Sequence, residues 1–148
     1  MQNRFKEFTL LTAKIRRLIT RIKTEEMAKY NLKSSHVSCL YYLYTMHELT
    51  AKELCEICDE DKAAVSRSVE YLEKSGYIRT ADSSHGKYKR SFVLTESGTH
   101  IAEYVNQRID SILEDSDRGL SEQERDILYR GLLVISENLQ EICDSYNN

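Results

Sequence analysis

The chain has 148 residues, 41% hydrophobic and 30% charged, with five glycines, no proline, four cysteines and a formal net charge of −3. Average usage of about 5% proline and about 7% glycine would supply several of each, so this shortage of turn-forming residues disfavours a β-sandwich, a disulfide scaffold or a proline-rich linker. The balance of apolar and charged residues excludes disordered and membrane-embedded chains, which leaves one mostly helical domain that buries about two thirds of its unfolded surface.

Phe5, Phe8, Leu11, Ile15, Leu18, Ile19 and Ile22 recur at spacings of three and four, which predicts one long amphipathic helix ending near Tyr30 or Asn31. Ser34 or Ser35 can cap a second helix, which carries Val37, Leu40, Tyr41, Leu43 and Tyr44 and runs to about Met46. Thr50 and Glu53 form a capping box for a short helix whose inward positions are Leu54, Ile57 and Cys58. Asp61 is a good N-cap for the next, in which Val65, Val69 and Leu72 share a face and which Gly76 ends. Alternation over 77–81 and again over 90–95 predicts two strands of a hairpin, with Gly86 at its turn. Thr95 can cap a fifth helix with Ile101, Tyr104, Val105, Ile109, Ile112 and Leu113 on its apolar side. After Gly119, a second capping box, Ser121 with Glu124, opens a last helix with Ile127, Leu128, Leu132, Ile135, Leu139 and Ile142 at helical spacing.

Charge is distributed unevenly along these elements. Met1 to Lys33 holds nine basic and three acidic residues, whereas Glu96 to Asn148 holds four basic and twelve acidic ones. Such opposed ends are expected to lie against each other within or between subunits, the plainer alternative being solvated faces. No run approaches the roughly 18 apolar residues of a membrane span, and a charge interrupts the N-terminus before any signal-peptide core is reached. The expected location is cytoplasmic, with reduced cysteines and no membrane association.

Two short helices joined by a tight turn, the second followed at once by a β-hairpin, make a winged helix-turn-helix, in which the second helix enters the DNA major groove. The fold class is therefore mainly α with a small β-hairpin. Within this frame AAVSRSVEYLEKSGYI (63–78) and VLTESG (93–98) resemble the recognition helix, first wing strand and return strand of the MarR family (multiple antibiotic resistance regulator) of bacterial transcription factors. The order of elements is similar over the whole chain. That resemblance implies one domain over 1–148, with 34–98 as the DNA-binding region and 1–33 and 99–148 as dimerisation helices that interleave between two subunits. It also implies a dimeric regulator, more often a repressor, that docks on a pseudo-palindromic operator and responds to a small, often aromatic, anion. Asp59 and Glu60 depart from the family pattern, which has a glycine and an apolar residue there, and the wing tip lacks the usual Asp and Arg pair.

With Val65, Val69 and Leu72 inward, Lys62, Ala63, Ser66, Arg67 and Glu70 face outward. Arg67 can take a guanine edge or clamp a phosphate, Ser66 can bond either, and Ala63 can meet a thymine methyl. Lys87, Lys89 and Arg90 supply positive charge on the wing. The plainer reading of all these positions is a solvated surface. The resemblance places an effector cleft beside His36, Tyr41 and Tyr44, although tyrosines at such positions are more often core, and His36 is expected to be partly exposed in its helix's first turn. Cys55 and Cys58 read as packing residues without a second CxxC. Cys39 and Cys143 leave control by cysteine oxidation as an alternative, and His36 with Glu25, Glu26 and His100 a weaker metal alternative. No cofactor is implied. Absence of a Gly-rich phosphate loop or a Ser/His/Asp arrangement argues against an enzyme, so the contrasting class is a winged-helix module that binds protein.

Overall fold

The computed structural model describes residues 3–58, 60–82 and 90–146. It divides into two compact units, Met1–Gln107 and Arg108–Asn148. The first holds α1 (Arg4–Met27), a 3-10 turn (Ala28–Tyr30), α2 (Ser34–Met46), β1 (Glu48–Thr50), α3 (Ala51–Cys58), α4 (Lys62–Lys74), β2 (Ile78–Thr80), β3 (Ser91–Leu94) and the start of α5 (Glu96–Ser116). The second holds the rest of α5 and α6 (Glu122–Ser145).

The core of the first unit gathers around α2, which packs against α1, α3, α4 and β3. Leu40, Leu43, Leu54, Val65, Leu72, Ile78 and Phe92 are all buried there, and each such side chain contributes about 1.5–3 kcal/mol of burial. The expected caps on α3, α4 and α6 form. Thr50 N–H and hydroxyl both bond the Glu53 carboxylate at 2.7 Å, Asp61 Oδ1 accepts from Ala64 N at 2.8 Å, and Ser121 pairs reciprocally with Glu124. Gly76 at φ 76° closes α4 in the left-handed conformation that glycine adopts without strain.

Two local expectations give way. Neither Ser34 nor Ser35 caps α2: Lys33 is the N-cap residue, and its backbone N–H donates to Nδ1 of His36 at 3.1 Å. The imidazole takes the place that a glutamate holds in the ordinary capping box. The hairpin also gains a third strand, because β1 pairs antiparallel with β3, Leu49 opposite Phe92, giving the sheet order β1-β3-β2. Three residues following His47, itself at φ 68°, show too little alternation to be read as a strand, and their partner lies more than 40 residues on.

Thr95 caps α5 as expected and does more. Its hydroxyl accepts from Gly98 N at 3.0 Å and donates to Gly76 O at 2.6 Å, so the start of α5 is tied to the turn that ends α4. In the second unit α6 buries none of its residues, and Ile127, Leu132, Leu139 and Ile142 remain exposed. On α1, Met27 is buried, while the stripe from Phe5 to Ile22 is likewise left open.

Candidate nucleic-acid interface

The α4 sequence sorts its side chains onto two faces. Val65, Ser68, Val69 and Leu72 are buried, and Lys62, Ala63, Ser66, Arg67 and Glu70 are all exposed. Among the described residues no carboxylate pairs with Lys62 or Arg67. Glu70 bonds Lys74 at 2.8 Å, and that hydrogen bond holds its carboxyl below the usual range. The unneutralised charge on this face is therefore positive. The acidic turn before α4 is turned to structure: Asp61 is consumed by its cap, and Glu60 is half-buried in the wall of a cavity. Asp59 lies outside the described residues.

At the base of the wing, Arg90 is engaged rather than free. Its Nη2 lies 2.5 and 2.7 Å from the two Glu73 carboxylate oxygens, its Nε donates to Thr80 Oγ1 at 2.9 Å, and the guanidinium sits 5.2 Å above the Phe92 ring. One nitrogen meets both Glu73 oxygens while another holds Thr80, and charge-assisted bonds of this kind are the strong ones, so Arg90 braces β3 against α4. No local pattern points to Glu73, which stands 17 residues away. Arg79 bonds Asp82 at 2.9 Å beside the wing. Lys87 and Lys89 lie outside the described residues.

His36, Tyr41 and Tyr44 sit in different surroundings. His36 is buried, 7% exposed rather than partly open, and stacks on Tyr71 of α4 with centroids 4.4 Å apart and planes within 3°. Tyr71 in turn donates to Asn31 O at 2.9 Å. Half-buried Tyr41 meets Tyr42 edge-on, and Tyr44 lines a separate cleft with His47 and Val93. A cavity of about 680 Å³ lies between α1, α2 and the α3–α4 turn, lined by Arg16, Lys23, Lys33, Ser38, Cys58 and Glu60 among others. Lys23 points in from the α1 face and donates to Ser38 Oγ at 3.0 Å, with burial lowering its pKa. One basic residue within an amphipathic run carries no signal of this role.

Since Nδ1 of His36 must stay unprotonated to accept the Lys33 N–H, the fold favours the neutral ring. Burial, and then the Lys33 ammonium, push its pKa below the ordinary imidazole value. As pH falls the unfolded chain takes up this proton first, so the stability is complete above about pH 6.5 and is lost as pH drops through the folded value. In urea titrations the wild type should lose more unfolding free energy between about pH 8 and about pH 5 than His36→Gln does. Equal losses would remove His36 as the cause.

Residues 30–87 match the family model described as MarR family. The chain is 28% identical over 93 residues to YwoH of Bacillus subtilis, described as an HTH-type transcriptional regulator, covering 63% of this chain and 67% of that one. A second relative from that organism with the same description, YwaE, is 24% identical over 131 residues, 88% of this chain and 77% of its own. Among solved structures, the fold is similar to a MarR family transcriptional regulator from Listeria monocytogenes complexed with a 26mer DNA (TM-score 0.83, 20% identity, 95% of this chain and 91% of that one). It is also similar to the S. aureus MepR–DNA complex (TM-score 0.79, 19% identity, 89% and 97%).

Proposed function

We propose that this chain, whose winged-helix segment matches the MarR family model, is a homodimeric DNA-binding regulator of transcription, a repressor released by a small aromatic or anionic effector. The observation that carries this reading is the outer face of α4, where Lys62, Ala63, Ser66 and Arg67 stand exposed on a helix held by Val65, Val69 and Leu72. This helix enters the major groove, and the charges of Lys87, Lys89 and Arg90 favour the DNA backbone. Two similar structures are complexes with DNA.

Dimerisation is supported by the apolar stripes that each unit leaves open: Phe5, Leu11 and Ile15 of α1 are more than half exposed, as is Ile127 of α6. Contiguous apolar surface of this kind marks an interaction site. Residues 1–33 and 99–148 serve as the dimerisation helices and 34–98 as the DNA-binding region. A two-fold dimer sets half-sites about 34–36 Å apart on a pseudo-palindromic operator. The cavity beside Lys23 and Arg16 suits an anion, and an effector bound there acts by preferring the geometry that does not match the operator. The regulator works in the cytoplasm without a cofactor; none of the described helices is long and apolar enough to cross a membrane.

The test is selection of bound sequences from random duplex DNA by the full chain, followed by salt titration of the enriched duplex. An enriched two-fold sequence whose affinity falls steeply with salt is the expected result, since each neutralised phosphate adds about 0.9 to the log–log slope. No enrichment and a flat salt response would decide for the protein-binding module.

A further inference from the structure

Charged side chains gather where α4 ends and the β2–β3 pair begins. Glu70 with Lys74 and Arg79 with Asp82 are local pairs, four and three residues apart. Glu73 is different: from α4 it meets Arg90, the residue before β3. Thr80 of β2 closes this pair into a triangle, because its hydroxyl donates to Glu73 Oε1 at 3.2 Å while accepting from Arg90 Nε at 2.9 Å. We propose that Glu73 is a positioning residue for DNA binding, which together with Thr80 holds the Arg90 guanidinium so that its remaining nitrogen donates to a DNA phosphate. This role rests on the DNA-binding reading; the triangle itself does not.

Strand alternation builds the site. Ile78 and Thr80 lie on one face of β2, Phe92 stands opposite Thr80, and Arg90, two residues before Phe92, shares that face. Ile78 and Phe92 are buried beneath α4, and the core ends at the exposed Thr80 and Arg90. There the guanidinium rests 5.2 Å above the Phe92 ring and Glu73 reaches over from the helix. The chain between α4 and β2 passes through Gly76, whose backbone is permissive. The bond from Thr80 to Glu73, seven residues apart across that turn, adds a tie that the turn alone does not supply.

A surface ion pair ordinarily adds little stability, because solvent screens it and two long side chains must be held still. Here its effect is one of direction. Nη2 is committed to Glu73 and Nε to Thr80, whereas Nη1 has no hydrogen bond among the described residues. A mobile arginine loses rotamer freedom when it meets a phosphate; one already fixed by the fold has lost it beforehand. Phosphate contacts set the register of a protein on its duplex. A carboxylate alone would repel phosphate, so two roles for Glu73 predict effects of opposite sign. Removing an isolated surface acid strengthens binding, and removing a positioning residue weakens it.

The experiment measures fluorescence anisotropy of a duplex selected from random sequence, with urea midpoints of every variant confirming that folded proteins are compared. Glu73→Ala is expected to weaken binding by about 3- to 10-fold, the upper range for an exposed charge pair, although it makes the chain more positive by one charge. In an Arg90→Gln background the same substitution no longer weakens binding. Thr80→Val also loses affinity, and Thr80→Ser, which keeps the hydroxyl, retains it. Tighter binding by Glu73→Ala would overturn the proposal, as would an equal loss with and without Arg90. A second readout needs no DNA: in nitrogen-15 NMR spectra the Arg90 Nε–H should exchange with water more slowly than that of the unpaired Arg67, and should lose this protection in Glu73→Ala. An unprotected Arg90 Nε–H in a chain that binds DNA would overturn the positioning role alone. Failure of the wild type to bind any duplex would overturn the DNA-binding reading and this role with it, with the NMR signal still deciding whether the triangle forms.

Discussion

Arg67→Ala weakens binding to a selected duplex by about 1–3 kcal/mol and leaves the unfolding midpoint where it was. Arg67 is exposed on the outer face of α4, between buried Val65 and Val69, with no ion-pair partner among the described residues, so its removal takes nothing from the core. Surface changes of this sort stay within about 0.5 kcal/mol of neutral stability. The loss therefore lies in the complex alone. If Arg67 reads a guanine edge, the variant loses discrimination at one base pair, and Arg67→Lys, which cannot offer a two-pronged donor, fails to restore it. If it clamps a phosphate, affinity drops uniformly across sequences and the salt slope falls by about one. Fluorescence anisotropy against the selected duplex and single-base variants separates these outcomes; unchanged affinity for all of them would remove Arg67 from the interface.

The helix caps and the inward face of α4 were legible because each is a relation between residues three or four apart. Asp61 to Ala64, Thr50 to Glu53, Ser121 to Glu124, and the Val65–Val69–Leu72 face are all written within a single turn or two. What escaped depends on segments that only the tertiary fold brings together. The pairing of β1 with β3 joins Leu49 to Phe92, Arg90 finds Glu73, and Lys23 reaches Ser38 from α1 to α2. His36 is the instructive case in between. Its position three residues after the N-cap fits the local capping rule, but an imidazole rather than a carboxylate fills the place, and the pattern that names serines points one or two residues too far into the helix. The stacking of that ring on Tyr71 could not have been read locally at all.

Gly98 shows the same limit on the side of stability. In the sequence it is a small residue near the start of a helix, where alanine would normally stabilise by about 1 kcal/mol. In the fold a Cβ at Gly98 would lie 1.8 Å from the Tyr77 carbonyl oxygen and 2.8 Å from its carbon. These are backbone atoms, so no rotamer change can relieve the overlap, and α5 must retreat from the turn between α4 and β2. That retreat strains the bonds that anchor this junction, Thr95 N to Tyr77 O at 3.0 Å and Thr95 Oγ1 to Gly76 O at 2.6 Å. Overpacking of this type costs about 1–3 kcal/mol, enough to outweigh the gain in helix propensity. Gly98→Ala is accordingly expected to lower the urea midpoint without changing the slope, while Ser97→Ala, on the exposed side of the same turn, stays within about 0.5 kcal/mol of wild type. Because the junction also holds the base of the wing beside α4, the variant should lose DNA affinity even under conditions where it remains folded. A Gly98→Ala chain as stable as wild type would mean that α5 can shift at no cost, and that the close approach to Tyr77 does not fix the wing.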